Sequence, residues 1–269
     1  MKTRIFISTM IIFLAGNVSA QLRVITNNAF QHGEVLQYKA YYDALLTGEV
    51  IAGTATFEVK DETKSINDRP VYHIAVEART KGAFNWFFKV NDHYETYMDE
   101  ATLAPWLFIR RVDEGGYIIN QDVTFNQNKN VAYFVDNKRS KKSTVPTSAY
   151  VQDILSAIYY CRSYDVTAMN ANDEFKVKFM LDDTIYSTKI VYMGKETIKT
   201  GMGKIRCIKL KPQVLTGNVF KDPYPVTLWV SDDKNKIPIL AESAILVGKV
   251  KLELIGYDGL KNPFACLVK

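Results

Sequence analysis

VIAGTATFEVK, residues 50–60, alternates side-chain character with a period of two: Ile51, Ala55, Phe57 and Val59 oppose Thr54, Thr56, Glu58 and Lys60. Side chains of an extended strand point alternately to its two faces, so this spacing predicts a β-strand with one buried and one wetted face. VYHIAVEART, residues 71–80, repeats the pattern, with Tyr72, Ile74, Val76 and Ala78 against His73, Glu77 and Arg79. Upstream, Leu36, Tyr38, Ala40 and Tyr42 share one face of residues 33–43. The same reasoning predicts strands at 92–99, 104–112, 117–126, 129–136, 173–181, 184–193, 203–212, 225–231, 237–246 and 248–256. Turn formers separate several of them, including Asn67-Asp68-Arg69-Pro70 and Gly115-Gly116. In KIRCIKLK, 204–211, the alternation changes phase between Cys207 and Ile208, which predicts a β-bulge.

One segment departs from this period. AYVQDILSAIYYCRSYD, residues 149–165, sets Val151, Ile154, Leu155, Ile158 and Tyr159 at helical spacing, and Pro146 with Thr147-Ser148 gives a start signal. The fold expected is mainly β: a large curved antiparallel sheet or half-open barrel, with one central amphipathic helix (about 149–165) in or across its concavity. No low-complexity stretch or linker interrupts the chain, so residues 21–269 read as a single β domain.

The first residues read differently. Lys2 and Arg4 precede a mostly apolar run, Ile5–Ala15, and Val18-Ser19-Ala20 offers small residues for cleavage. That is the pattern of a secretory signal peptide cut after Ala20, and it predicts a periplasmic protein. The apolar run is too short to span a bilayer comfortably, and no later run is long enough, so no transmembrane segment is expected in the mature chain. No cysteine follows the cleavage point, which argues against a lipid anchor. Removing Lys2 and Arg4 takes the formal charge from +5 to +3, too mild to suggest nucleic acid as a partner. The dense basic run Lys138-Arg139-Ser140-Lys141-Lys142 reads as a solvated loop. Cys161, Cys207 and Cys266 lack metal-ligand spacing; a Cys161–Cys207 bridge and buried free thiols are both open.

No GxSxG elbow, HExxH helix, P-loop or EF-hand loop occurs, and no cofactor or metal site is predicted. The three histidines, His32, His73 and His93, have no ligand spacing; His93 and Glu95 should share one strand face. Ser231-Asp232-Asp233, with Lys234 and Lys236 nearby, resembles a carboxylate site. General acid–base work needs carboxylates in contrasting environments, whereas Ser, Asp and Asn between two strands make a tight connection; the stretch reads as a turn. Phe84, Trp86, Phe87 and Phe88 crowd rings between two strands. They suit either a short helix plugging one end of the sheet or a hydrophobic mouth contacting lipid. With Tyr94, Trp106 and Tyr159 they form the expected ligand-binding set.

The stretches Phe30–Tyr38, Asp153–Arg162, Leu228–Asp233 with Ile237-Pro238, and Gly248-Lys249-Val250 resemble the DUF3108 family of exported bacterial proteins. That resemblance carries no activity and assigns no residue a role. The order of elements is also similar to periplasmic lipoprotein carriers of the LolA/LolB type, in which a curved sheet is closed by helices over an apolar cavity. The function expected is a periplasmic, non-enzymatic binding or carrier protein for a lipid or other apolar envelope component. The alternatives are a structural or interaction protein with an envelope protein partner, and, behind both, an envelope lipid or glycan hydrolase.

Overall fold

The computed structural model describes residues 22–44, 48–82, 84–214, 223–244 and 248–268; the leader expected over residues 1–20 lies outside them. The chain forms two meanders joined at a helix. The first contains β1 (Val35–Ala44), β2 (Gly48–Val59), β3 (Lys64–Ile66), β4 (Arg69–Thr80), the short helix α1 (Phe84–Phe87), β5 (Asn91–Asp99), β6 (Pro105–Glu114), β7 (Tyr117–Asn126), β8 (Val131–Asp136) and β9 (Lys141–Pro146). The second contains β10 (Gln152–Asp153), helix α2 (Ile154–Arg162), β11 (Glu174–Leu181), β12 (Thr184–Thr200), β13 (Gly203–Pro212), β14 (Val226–Ser231), β15 (Pro238–Ala244), β16 (Lys249–Asp258) and β17 (Leu267–Val268).

Hydrogen-bonded neighbours run β9-β8-β7-β6-β5-β4-β2-β1 through the first meander. The series continues β16-β15-β14-β13-β12-β11-β10 through the second. β1 and β16 join the two arms, from Val35↔Asp258 to Asp43↔Lys249. All of these pairings are antiparallel except the short β10–β11 contact. Asn67 and Asp68, both at positive φ, form the two-residue turn into β4, as hairpin twist favours.

The sheet rolls up without closing its ladder. Side chains span the seam instead: Arg110 and Gln121 reach Asp182 Oδ1 at 3.2 and 3.1 Å, and Lys141 Nζ lies 2.5 Å from Asp183 Oδ2. This is the half-open form of the expected curved sheet.

α2 is shorter than its apolar spacing suggests. Asp153 caps it: Oδ1 accepts from the backbone N–H groups of Leu155 and Ser156, and Ser156 Oγ accepts from the N–H of Asp153. Residues 149–150 form a turn, with Tyr150 at φ +58°, and Gln152-Asp153 after it are extended and paired to β11. Val151, which fits the helical spacing, is buried from between that turn and the strand.

The phase change at Cys207/Ile208 is also resolved. Both residues are buried, Cys207 with Tyr38, Ile237 and Leu254, and Ile208 with Phe175, Val177 and Leu210. The register slip lies on the partner strand, between Tyr192 and Lys195, where Gly194 takes φ +96°. A third cluster fills the first arm, with Ile74, Met98, Phe108 and Phe134 packed against Leu155 and Tyr159 of α2.

Candidate functional site

α2 carries apolar residues on two faces. Leu155 and Tyr159 are buried in the first-arm core. Ile154, Ala157, Ile158 and Cys161 follow i, i+3, i+4, i+7 along another stripe, and this one faces a cavity. The opposite wall comes from the second arm, including Phe175, Val177, Ile190, Leu210 and Leu228. The enclosed space is about 270 Å³. It is reached from solvent, and Ile158 is 39% exposed. Packing defects in ordinary cores are few and seldom exceed a water molecule; an apolar void of about 150 Å³ already stays dry and admits benzene.

A second, polar recess of about 550 Å³ adjoins this cavity and shares Arg162, Val166, Ile208 and Lys236 with it. Arg162 is fixed: Nη1 and Nη2 donate to Glu34 at 2.5 and 2.7 Å, Nε to Asn235 O at 3.0 Å, and Nη2 also to Ala29 O at 3.2 Å. Its side chain is 3% exposed and that of Glu34 is fully buried. Such a bidentate, desolvated pair holds the end of α2 to the chain segment entering β1.

The Ser231-Asp232-Asp233 stretch builds the recess floor as a turn, as its composition suggests. Asp233 Oδ1 accepts from Ser231 Oγ and from the N–H groups of Asn235 and Lys236. Ser231 Oγ in turn accepts from Ile237 N at 2.8 Å. The turn sets Lys236 at φ +46° and points its Nζ to Tyr164 O at 2.6 Å. Burial pushes the Lys236 ammonium below its ordinary range.

The aromatic set anticipated for ligand contact lies elsewhere. Phe84 is half-buried with its ring 5.9 Å from that of Tyr42, while Trp86 is 93% exposed and Phe88 46% exposed. The helix foreseen around them forms, but Trp86 projects into solvent and does not complete a core. Tyr94 packs against the first-arm core, and Trp106 is buried with Nε1 donating to Asp99 at 3.2 Å. Tyr159 is buried edge-on to Phe30 at 4.9 Å between centroids. None of these six side chains lines the cavity; the side chain of Phe87 lies outside the described ones. The cavity residues escape a reading of strand periodicity because their alternation equals that of ordinary core. The second apolar stripe of α2 is the one signal that could have found them.

His93 and Glu95 do share a face, with His93 Nε2 2.6 Å from Glu95 Oε1 and His73 Nε2 2.7 Å from Oε2. Burial raises the Glu95 carboxyl, but hydrogen bonds from His93, His73 and Tyr97 outweigh it and hold the value down to about 2. That is a hub ionised at neutral pH and a poor proton acceptor there. Among the described residues, no group of three or more His, Cys, Asp or Glu is arranged to hold a metal ion. The three cysteines are free thiols, and burial pushes those of Cys161 and Cys207 up to about 12.

A half-closed antiparallel sheet with a helix-walled apolar cavity defines a β-barrel-like class of protein. The chain belongs to the DUF3108 family, described as a protein of unknown function, whose model matches residues 37–255. A search of curated proteins finds no match. Among solved structures, the chain is similar to a beta-barrel-like protein of domain of unknown function DUF1849 from Brucella abortus. The identity is 10%, the alignment covers 88% of this chain and 99% of that one, and the TM-score is 0.54, so the two share a fold. A "putative lipoprotein" from Parabacteroides distasonis aligns at 14% identity over 88% of this chain and 100% of that one, TM-score 0.38. A "putative exported protein with YmcC-like fold" from Bacteroides fragilis aligns at 11% identity over 88% and 99%, TM-score 0.33.

Proposed function

We propose that the protein binds an apolar ligand of the cell envelope, in the cavity between α2 and the second arm of the sheet, and acts as a carrier without catalysis. The carrying observation is the apolar stripe Ile154, Ala157, Ile158 and Cys161 bordering a cavity of about 270 Å³, with Ile158 left 39% exposed at its edge. Leaving such a surface unfilled forfeits dispersion contacts and burial, and a ligand restores both. The volume lies near the lower bound of small-molecule sites, roughly 300–1,000 Å³, which suits one acyl-type chain better than a folded partner. The leader-like residues 1–20 support an envelope location. Residues 21–269 act in this reading as one unit, because both arms supply the ends of α2 with partners.

Native mass spectrometry of protein purified from the periplasm of a bacterial host, followed by organic extraction, tests this. A stoichiometric apolar adduct is expected, lost in Val177→Trp, which fills the cavity, and retained in Trp86→Ala. A clean unliganded mass with no uptake of added lipid would overturn the proposal. Loss of the adduct in Trp86→Ala alone would move the site to the aromatic segment.

A second reading, an interaction protein, is favoured by one observation: Trp86, Phe88, Tyr117 and Ile118 are all exposed, and Phe88 lies beside Gly115, next to Tyr117. Site-specific photocrosslinking from position 86 in intact cells would give a defined protein adduct under this reading and none under the first.

A further inference from the structure

The apolar cavity borders the polar recess, and Arg162 and Lys236 line both. Most charged groups there are already satisfied. Arg162 is matched by Glu34, and Lys195 by Asp232 at 2.9 Å. The Asp233 carboxylate is occupied by Ser231, Asn235, Lys236 and Ala265. Asp165, the carboxylate that acts on Lys236, accepts from Thr167 N at 2.9 Å.

Two ammonium groups are left facing neutral partners. Lys236 Nζ donates to Tyr164 O and Lys261 Nζ to Asn27 O, each at 2.6 Å. Among the described residues neither has a carboxylate within ion-pair distance, and exposed Lys234 adds a third cation to the same recess. Lys236 is the informative one. An ammonium held at the rim of an apolar cavity, on a backbone set by the Asp233 turn, has lost part of its hydration, while its hydrogen bond goes to a neutral carbonyl and Asp165 acts on it from beyond ion-pair distance. An anion placed beside it would supply a direct counter-charge.

Resting on the cavity reading above, we propose that the ligand is a single-chain amphiphile whose apolar tail occupies the cavity and whose anionic head, carboxylate or phosphate, sits against Lys236 and Lys261. The arrangement divides the labour. The aliphatic walls give affinity without regard to head chemistry, and the lysines select an anion over a neutral or cationic head.

Isothermal titration of the full-length mature protein with decanoate, decan-1-ol and inorganic phosphate separates these contributions. Decanoate is expected to bind about tenfold or more tightly than decan-1-ol, as a charge-assisted hydrogen bond implies. Lys236→Gln with Lys261→Gln should abolish that difference while leaving decan-1-ol affinity unchanged, which also shows that the variant is folded. Lys234→Gln, on the exposed side, should reduce it less. Equal binding of decanoate and decan-1-ol by the unaltered protein would overturn the anionic-head proposal and leave the cavity reading standing. Binding of neither would sink both. Tight binding of inorganic phosphate alone would make the recess a site for a free anion and overturn the amphiphile.

Discussion

Replacing Arg162 by methionine removes the charge that Glu34 faces while keeping most of the side-chain volume. Both side chains are essentially out of water, and four hydrogen bonds converge on the guanidinium, which also lies 5.3 Å and 5.1 Å from the ring centroids of Phe30 and Tyr159. Removing one partner of a buried pair leaves the other charge without compensation, at a cost of about 3–5 kcal/mol. Against a total stability of roughly 5–15 kcal/mol, that is a large fraction. Urea unfolding followed by far-ultraviolet circular dichroism should show the midpoint falling with little change in slope. Adding Glu34→Leu to Arg162→Met removes the stranded carboxylate, so the double variant should be more stable than the summed losses of the two single variants predict, by about 0.5–3 kcal/mol. A loss under about 1 kcal/mol for Arg162→Met, or strict additivity of the two changes, would refute the claim that this pair is desolvated and structural.

Three further outcomes are expected. Burial raises the Asp153 carboxyl to about 6, above the unfolded value of about 3.9. Folding therefore favours the protonated form, and this group's contribution is greatest below pH 4 and is lost as pH rises through 6. Asp153→Asn keeps a capping oxygen and should flatten that part of the stability profile, read as thermal midpoints between pH 4 and 7; an unchanged slope would refute the assignment. Glu95 has the opposite sign. Held at about 2, below an unfolded value of about 4.3, it contributes stability above pH 4 that disappears as pH falls toward 2. Glu95→Gln should lower the midpoint at pH 7 and leave it unaltered near pH 2, and the reverse pattern would count against the His73–Glu95–His93 hub. Cys207 and Cys266, free and buried, should resist Ellman's reagent at pH 7 and titrate in urea, whereas half-buried Cys161 on the cavity wall should be the first thiol to react. Rapid labelling of more than one thiol in the folded protein would contradict the burial of Cys207 and Cys266.

Much of the sheet is legible because one physical fact, a half-buried strand, writes period two directly into the chain. Residues 117–126 and 203–212 are strands at the bounds that alternation predicts. Departures occur where a local competitor overrides the period. Val151 fits a helix by spacing, yet the Asp153 side chain satisfies the first free N–H groups and starts the helix after it. The basic run at 138–142 reads as loop because charge conceals a strand. Its last two lysines begin β9, an edge strand whose lysines and Pro146 discourage pairing with another chain. The cavity and recess were not legible, since Arg162 meets Glu34, and Asp233 meets Ala265, only after long stretches of chain have come together.

The pairing of β1 with β16 has a consequence for the order in which the molecule assembles. On a growing chain, β2 is available to β1 almost at once, but Val35 must wait for Asp258. For most of synthesis the central strand of the finished sheet is therefore a raw edge, with Tyr38 and Ala40 facing no second neighbour. Long-range closures of this kind are slow and leave sticky intermediates. Premature release before residue 249 would thus strand a half-sheet whose β1 edge, carrying Leu36 and Tyr38, is left open.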